Sequence, residues 1–185
     1  MPTDTQKQPA LYHKSVETPW GTFYLAATAT GVAAVGLPVS GEREFFELLS
    51  KAYEGFLFLP GDTPEMEQAA AYIRAYLAGE ERRPSNVPFH IRVSPWRFRV
   101  LEAISAIPYG RTRTYGQLAT GLGKPGGARA VGAACRANPL PILIPCHRVV
   151  AAQGLGGYGG AWGDDTDELA FKKRLLEHER AHVDR

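Results

Sequence analysis

The chain has 185 residues, of which 44% are hydrophobic and 22% charged, and a net charge of +2. These proportions exclude a disordered tail protein and fit one large or two small globular domains. No apolar run approaches the ~18 residues of a membrane span. The opening MPTDTQKQPA also lacks the basic-then-apolar pattern of a signal peptide, so a cytoplasmic protein with no membrane association is expected. Two cysteines and five histidines form neither a disulfide framework nor a four-ligand zinc pattern, so neither metal nor cofactor is expected.

Leu11–Thr18, Thr22–Ala27 and Val32–Leu37 read as short strands, separated by turn chemistry at Pro19-Trp20-Gly21 and Thr30-Gly31. Helices are predicted over Glu42–Glu54 and Glu65–Ala78, with Gly79 stopping the second. The stretch Glu80–Pro88 contains Arg82, Arg83, Pro84 and Asn86 and reads as a linker. Two domains are therefore expected, 1–91 and 92–185.

The charge divides at that boundary. Residues 1–91 carry 7 basic and 11 acidic residues, whereas 92–185 carry 14 and 8. Residues 92–148 hold nine basic residues against the single acid Glu102. Such a block suits a polyanionic partner, nucleic acid first, although a solvated basic face is the plain alternative.

Ser94 can cap a helix that has Pro95 at its first position. Trp96, Val100, Ala103, Ile104 and Ile107 then recur at helical spacing, up to the break at Pro108-Tyr109-Gly110. Thr114-Tyr115-Gly116-Gln117 is a capping box opening a short helix that stops at Gly121-Leu122-Gly123. A second helix follows Gly126-Gly127 and reaches about Arg136, so the pair reads as a helix-turn-helix. The prolines of Pro139–Pro145 exclude a helix and predict an extended apolar segment delivering Cys146-His147-Arg148. A glycine-rich loop and a final helix over Asp167–His182 complete the chain; acids crowd that helix's start, as its dipole prefers.

Cys146 lies beside two basic side chains, which favour the thiolate. On a strand, however, His147 would point to the opposite face, so reaching the sulfur needs a bend or a water. Cys135, within the second short helix, reads as a packing residue.

Around Pro145-Cys146-His147-Arg148-Val149 the sequence resembles the O6-alkylguanine-DNA alkyltransferases, or methylated-DNA–protein-cysteine methyltransferases. Supporting segments are IPYGRTRTYGQLA (Ile107–Ala119), ARAVGAACRANPLPILIPCHRVV (Ala128–Val150), Gly157-Tyr158 and LLEHE (Leu175–Glu179). The first half is similar more loosely, in Thr18-Pro19-Trp20-Gly21 and near Tyr72–Leu77. The resemblance implies an α+β protein, with a small N-terminal ribonuclease H-like α/β domain and a mainly helical C-terminal domain carrying a helix-turn-helix. It also implies a suicide enzyme for direct DNA repair. Such a protein binds duplex DNA, flips out a base bearing O6-methylguanine (less readily O4-methylthymine) and transfers the alkyl group irreversibly to its own cysteine. A monomer acting on double-stranded DNA with O6-alkylguanine lesions is expected.

On that resemblance Cys146 is the acceptor, His147 takes its proton through a water and Glu179 orients the histidine. Arg129 is the finger entering the base stack. Tyr115 presses the backbone and lines the pocket. Ala128, Gly132, Ala133 and Arg136 form the groove surface, together with Arg148 and Val149 on the substrate and DNA side. Asn138 is the hinge, and Tyr158 and Gly159 belong to the pocket loop. Serine stands at the Gly159 position in some members, and the 159–171 loop is longer than usual. Vertebrate-type members carry a structural zinc in the first domain, where this chain has no cysteine. Two other readings remain open on the residues alone. One is a DNA-binding regulator with Cys146 structural; the other is a cysteine hydrolase using Cys146 and His147.

Overall fold

The computed structural model describes residues 8–80, 87–156 and 167–183. They form a mixed α/β protein of two compact units, one made of residues within 1–70 and 86–92, the other of residues within 71–85 and 93–185.

The first unit is built on a four-stranded sheet of order β3-β2-β1-β4. β1 (Ala10–Thr18), β2 (Gly21–Thr28) and β3 (Gly31–Gly36) form an antiparallel meander. At its first turn Thr18 Oγ1 accepts from the Trp20 amide (3.1 Å) and donates to the Gly21 carbonyl (2.7 Å). α1 (Gly41–Ala52) packs Phe45 and Leu49 against Leu11, Ala26 and Ala33 of the sheet. β4 (Leu57–Pro60) then pairs parallel with β1. No local pattern announces β4. At four residues, with Leu57 and Leu59 exposed on a sheet edge, it has no alternation to detect.

Residues 87–92 return to this sheet. The Val32 amide donates to the Pro88 carbonyl and the His90 amide to the Val32 carbonyl, both at 2.8 Å. The Arg92 guanidinium lies 5.7 Å and 5.5 Å from the Tyr53 and Phe56 ring centres. The first unit thus ends close to residue 91, but it does not own everything before that point. α2 (Pro64–Leu77) runs from one unit into the other, because its residues from Ala71 onward group with the second. Gly79, at φ 77°, ends α2: its amide donates to the Tyr76 carbonyl, and that of Glu80 to the Ala75 carbonyl.

The second unit is mainly helical. α3 (Pro95–Ser105) buries Val100, Leu101 and Ile104, and Ser94 Oγ accepts from the Arg97 amide at 3.4 Å. α4 (Tyr115–Gly121) and α5 (Ala128–Arg136) pack on each other and on α3. α6 (Asp167–His182) buries Leu169, Phe171, Leu175 and Leu176. Two strands of two residues, β5 (Arg113–Thr114) and β6 (Val149–Val150), pair in parallel. Their register sets Thr114 opposite Val150, which brings the start of α4 beside the chain leaving Cys146.

The segment expected to be extended is instead a compact turn. The Ile144 amide donates to the Leu140 carbonyl at 2.7 Å, and Ile142 sits at φ 71°. A β-branched residue in that region costs about 1–3 kcal/mol. Leu140, Ile142, Leu143 and Ile144 are all buried, each gaining about 1.5–3 kcal/mol, so burial outweighs the strain. Proline excludes helix here but permits a turn as readily as a strand.

The capping box of α4 is closed at both ends. Thr114 Oγ1 accepts from the Gln117 amide (3.1 Å), and Gln117 Oε1 accepts from the Thr114 amide (2.8 Å). Thr114→Ala should therefore lower stability by about 1 kcal/mol in urea unfolding, with Thr114→Ser retaining most of it. An unchanged midpoint in Thr114→Ala would show that the cap does not stabilise the fold.

Candidate active site

Cys146 opens a single 3-10 turn, Cys146–Arg148, and is 4% exposed. Three residues per turn set successive side chains roughly 120° apart rather than on opposite faces. The strand objection to Cys146 and His147 acting together therefore falls away. Asn138 fixes the approach. Its Oδ1 accepts from the Leu140 amide (3.0 Å), and its Nδ2 donates to the Ile144 carbonyl (2.8 Å) and to Cys146 Sγ (3.2 Å). One amide side chain thus staples both ends of the apolar turn and touches the sulfur. A donor aimed at sulfur binds a thiolate more strongly than a thiol.

The neighbouring side chains converge on Glu179 of α6, which is fully buried. His147 Nε2 lies 2.8 Å from Glu179 Oε1. Arg148 grips the carboxylate through Nε (3.0 Å to each oxygen) and Nη2 (2.9 Å to Oε1), and its Nη1 donates to the Ile107 carbonyl at 2.7 Å. The Tyr76 hydroxyl donates to Oε1 at 2.8 Å and lies 3.2 Å from His147 Nε2. The Gly110 amide donates to Oε2 at 2.8 Å. Gly110 sits at φ 69°, and a Cβ there would fall 2.6 Å from Val183 Cγ2. Only glycine brings that amide to the carboxylate without displacing the end of the chain.

A carboxylate only accepts, so the His147 proton resides on Nε2 and the lone pair on Nδ1. Nδ1 is buried and has no hydrogen-bond partner. Burial holds the imidazole below its usual range despite Glu179, so the ring is neutral at pH 7 and able to accept a proton at Nδ1. Burial would raise Glu179, but the bonds from His147 and Arg148 outweigh it and hold the carboxyl at about 2. Burial, then Glu179, pushes the Tyr76 phenol well above its ordinary value, so it remains a donor.

Lys172 completes the surroundings. It is fully buried, and its Nζ donates to the Val149 carbonyl (2.7 Å) and the Leu155 carbonyl (2.8 Å). Burial lowers its ammonium to about 8, opposed by the electrostatic influence of Cys146 and then Cys135. The cation stands 5.7 Å from the centre of the Tyr115 ring. Tyr115 is wedged between α5 and the loop after β6: Cβ positions built at Gly132 and Gly156 fall 3.9 Å and 3.0 Å from its ring.

The expected DNA-facing residues separate into two groups. Arg129, Ala133 and Arg136 are exposed along one face of α5, with Ala128 and Gly132 half-buried beside them. Arg148 and Val149 are not on that face. Arg148 is 4% exposed because its guanidinium is consumed by Glu179 and Ile107, and the Val149 side chain is fully buried. Arg148 is thus an internal counter-ion rather than a DNA or substrate contact. Tyr158 and Gly159 lie outside the described residues. Tyr76, Gly110 and Lys172 were missed. A lysine among charged neighbours on a helix, and a tyrosine in the other half of the chain, carry no local signal of convergence. Among the described residues no group of three or more His, Cys, Asp or Glu could hold a metal ion, and no helix is long and apolar enough to cross a membrane.

Comparison with known proteins gives matches over almost the whole chain. A family model described as 6-O-methylguanine DNA methyltransferase, DNA binding domain, matches residues 95–181. An inducible methylated-DNA–protein-cysteine methyltransferase of Bacillus subtilis is 36% identical over 168 residues, 90% of this chain and 93% of the relative. The methylated-DNA–protein-cysteine methyltransferase of Archaeoglobus fulgidus is 36% identical over 160 residues, 86% of this chain and 95% of the relative. Among solved structures, O6-methylguanine methyltransferase of Mycobacterium tuberculosis aligns with a TM-score of 0.74 at 33% identity, covering 93% of this chain and 94% of the other. Mycobacterium tuberculosis OGT in complex with DNA aligns with a TM-score of 0.73 at 32% identity, covering 92% and 94%.

The Glu179 cluster should dominate the acid limb of stability. A carboxyl held at about 2 against an ordinary 4.5 contributes fully above about pH 4.5 and loses that contribution as pH falls toward 2. His147, kept below 6.5, adds loss in the same direction, because the unfolded chain takes its proton first. Glu179→Gln leaves Arg148 buried without its counter-charge and should cost about 3–5 kcal/mol in urea unfolding at pH 7. The acid-induced loss should also flatten, as read by circular dichroism. A mutant within 1 kcal/mol of wild type, with the same acid limb, would show that the cluster is not an energetic centre.

Proposed function

The chain belongs to the methylated-DNA–protein-cysteine methyltransferase family, and on that premise we propose that it repairs DNA by moving the alkyl group of O6-methylguanine onto Cys146. The observation that carries this reading is Cys146 held by Asn138, next to a neutral His147 whose far nitrogen is anchored on Glu179. A water joining Sγ to His147 Nδ1 would relay the thiol proton to the imidazole. The thiolate then attacks the alkyl carbon: an S–C bond forms, the C–O bond breaks with its electron pair going to the base, and the base takes up a proton at N1 and regains its C6 carbonyl. The product thioether has no route back to thiol, so each molecule acts once. O4-methylthymine is the lesser substrate.

Reaching a base inside a duplex requires flipping it out of the stack. The α4–α5 pair serves as the helix-turn-helix on the DNA, with the first unit a ribonuclease H-like domain. The exposed row Arg129, Ala133 and Arg136 suits close approach, with Arg129 filling the space the base leaves. Tyr115, gripped between Gly132 and Gly156, forms the pocket wall with the loop containing Tyr158 and Gly159. Lys172 positions that wall through the Val149 and Leu155 carbonyls. The protein acts as a cytoplasmic monomer, without cofactor, on double-stranded DNA. The regulator and hydrolase readings leave the His147–Glu179 anchoring and the basic surface, respectively, without a role.

Incubation with duplex containing O6-methylguanine should add about 14 Da, one CH2, mapped to Cys146 and absent from Cys146→Ala. Binding without a mass change would identify a regulator, and repeated turnover of a substrate a hydrolase. Affinity for duplex should fall with added salt, as phosphate neutralisation releases counterions.

Arg129→Ala should keep most of its duplex affinity yet repair at least tenfold more slowly in single-turnover kinetics. Equal rates would remove the finger assignment.

A further inference from the structure

Alkyl transfer gives Cys135 no task, yet its position is specific. Ala128, Gly132 and Cys135 recur at i, i+4 and i+7 along one half-buried side of α5. That side meets Tyr115, whose ring is 3.9 Å from the Gly132 Cβ position. Asn138 ties the two cysteines together. Its backbone amide donates to the Cys135 carbonyl at 3.2 Å, while its side chain donates to Cys146 Sγ at 3.2 Å. The compact turn after α5 therefore folds the chain back so that both thiols lie in one cluster with Tyr115 and Lys172. Each of these two side chains lies within electrostatic reach of both sulfurs. Neither cysteine is in a disulfide.

We propose that Cys135 is the resolving thiol of Cys146: under peroxide the pair closes into an intramolecular disulfide that shelters the acceptor sulfur and reopens with a dithiol reductant. This rests on the reading of Cys146 as the reactive thiol. The Cys146 thiolate attacks peroxide, the O–O bond breaks, and a sulfenic acid and hydroxide result. The Cys135 sulfur then attacks the Cys146 sulfur. An S–S bond forms, the S–O bond breaks, and the hydroxyl leaves with the Cys135 proton as water. Two electrons pass from the thiols to peroxide, and a dithiol returns them by exchange.

The order of events is set by charge. Burial, and then Cys146, pushes the Cys135 thiol up, so Cys135 stays protonated. Oxidation to the neutral sulfenic acid removes that second influence, while the lowering influence of Lys172 remains. Burial, the larger influence, stays, and Cys135 meets the sulfenic acid as a thiol. Without it the sulfenic acid would proceed to the irreversible sulfinic acid.

The test treats the full-length reduced protein with hydrogen peroxide. Intact mass, the cysteine peptides and alkyl-transfer capacity on O6-methylguanine duplex are measured before and after dithiothreitol. Wild type should become about 2 Da lighter, yield a Cys135–Cys146 linked peptide, lose capacity and regain nearly all of it on reduction. Cys135→Ser and Cys135→Ala should transfer normally when untreated. After peroxide they should gain about 16 or 32 Da at Cys146 and recover several-fold less capacity than wild type. Wild type that gains oxygen at Cys146 without the linked peptide, that cross-links between chains instead, or that loses capacity irreversibly as fast as Cys135→Ala would overturn the proposal. A linked peptide in a protein with no transfer capacity before treatment would instead count against the repair reading alone.

Discussion

A single buried carboxylate, Glu179, organises the half of this protein that carries Cys146. Taking an ion out of water costs several kcal/mol, and that cost is recovered only when every lone pair is satisfied. Here four groups from three parts of the chain do so: the Tyr76 hydroxyl, the Gly110 amide, and the His147 ring with the adjacent Arg148 guanidinium. Three of these donors are themselves constrained by the bond they make. Arg148 also secures the end of α3 through Ile107, Gly110 requires its left-handed turn, and His147 is left with one protonated and one basic nitrogen. The tautomer that leaves the His147 lone pair on Nδ1 is a consequence of packing around Glu179.

The sulfur is placed by a second, more local device. Asn138 spans the turn 139–145, and that turn carries the strained backbone of Ile142. Strain in a buried β-branched residue survives only when the surroundings over-determine it. The apolar side chains of the turn do this, and the result is a short 3-10 turn that sets Cys146 and His147 on compatible faces. Stability invested in an apolar turn is converted into the orientation of one thiol.

Much of this was legible in the sequence where the signal is local. The meander, the caps at Ser94 and Thr114, the stop at Gly79 and the helix over Asp167–His182 arise from turn chemistry, capping and periodicity. The cluster Cys146, His147, Asn138 and Glu179 was named from motif resemblance, and the chain folds these four into one place. The rest depends on long-range pairing. β4, β5 and β6 are too short to show alternation, and the parallel ladder Arg113↔Val149 joins segments 36 residues apart (149 − 113). Arg148 looks like a surface cation when only composition is counted, and only its partners reveal an internal one. The prolines of 139–145 exclude a helix but do not choose between strand and turn; the burial of Leu140 to Ile144 does.

The course of α2 has a consequence for modularity. Composition marks a joint at residues 80–88, and a biochemist would cut there to isolate the half that carries Cys146. Tyr76 lies on the other side of that cut, yet its hydroxyl belongs to the carboxylate network and its carbonyl accepts from His178 of α6. A fragment beginning at residue 92 would leave Glu179 and His147 without that brace. The portable reactive unit is therefore discontinuous in sequence, with an obligate strap from residues 71–80. Domain exchange in such a chain has to respect hydrogen bonds rather than linkers.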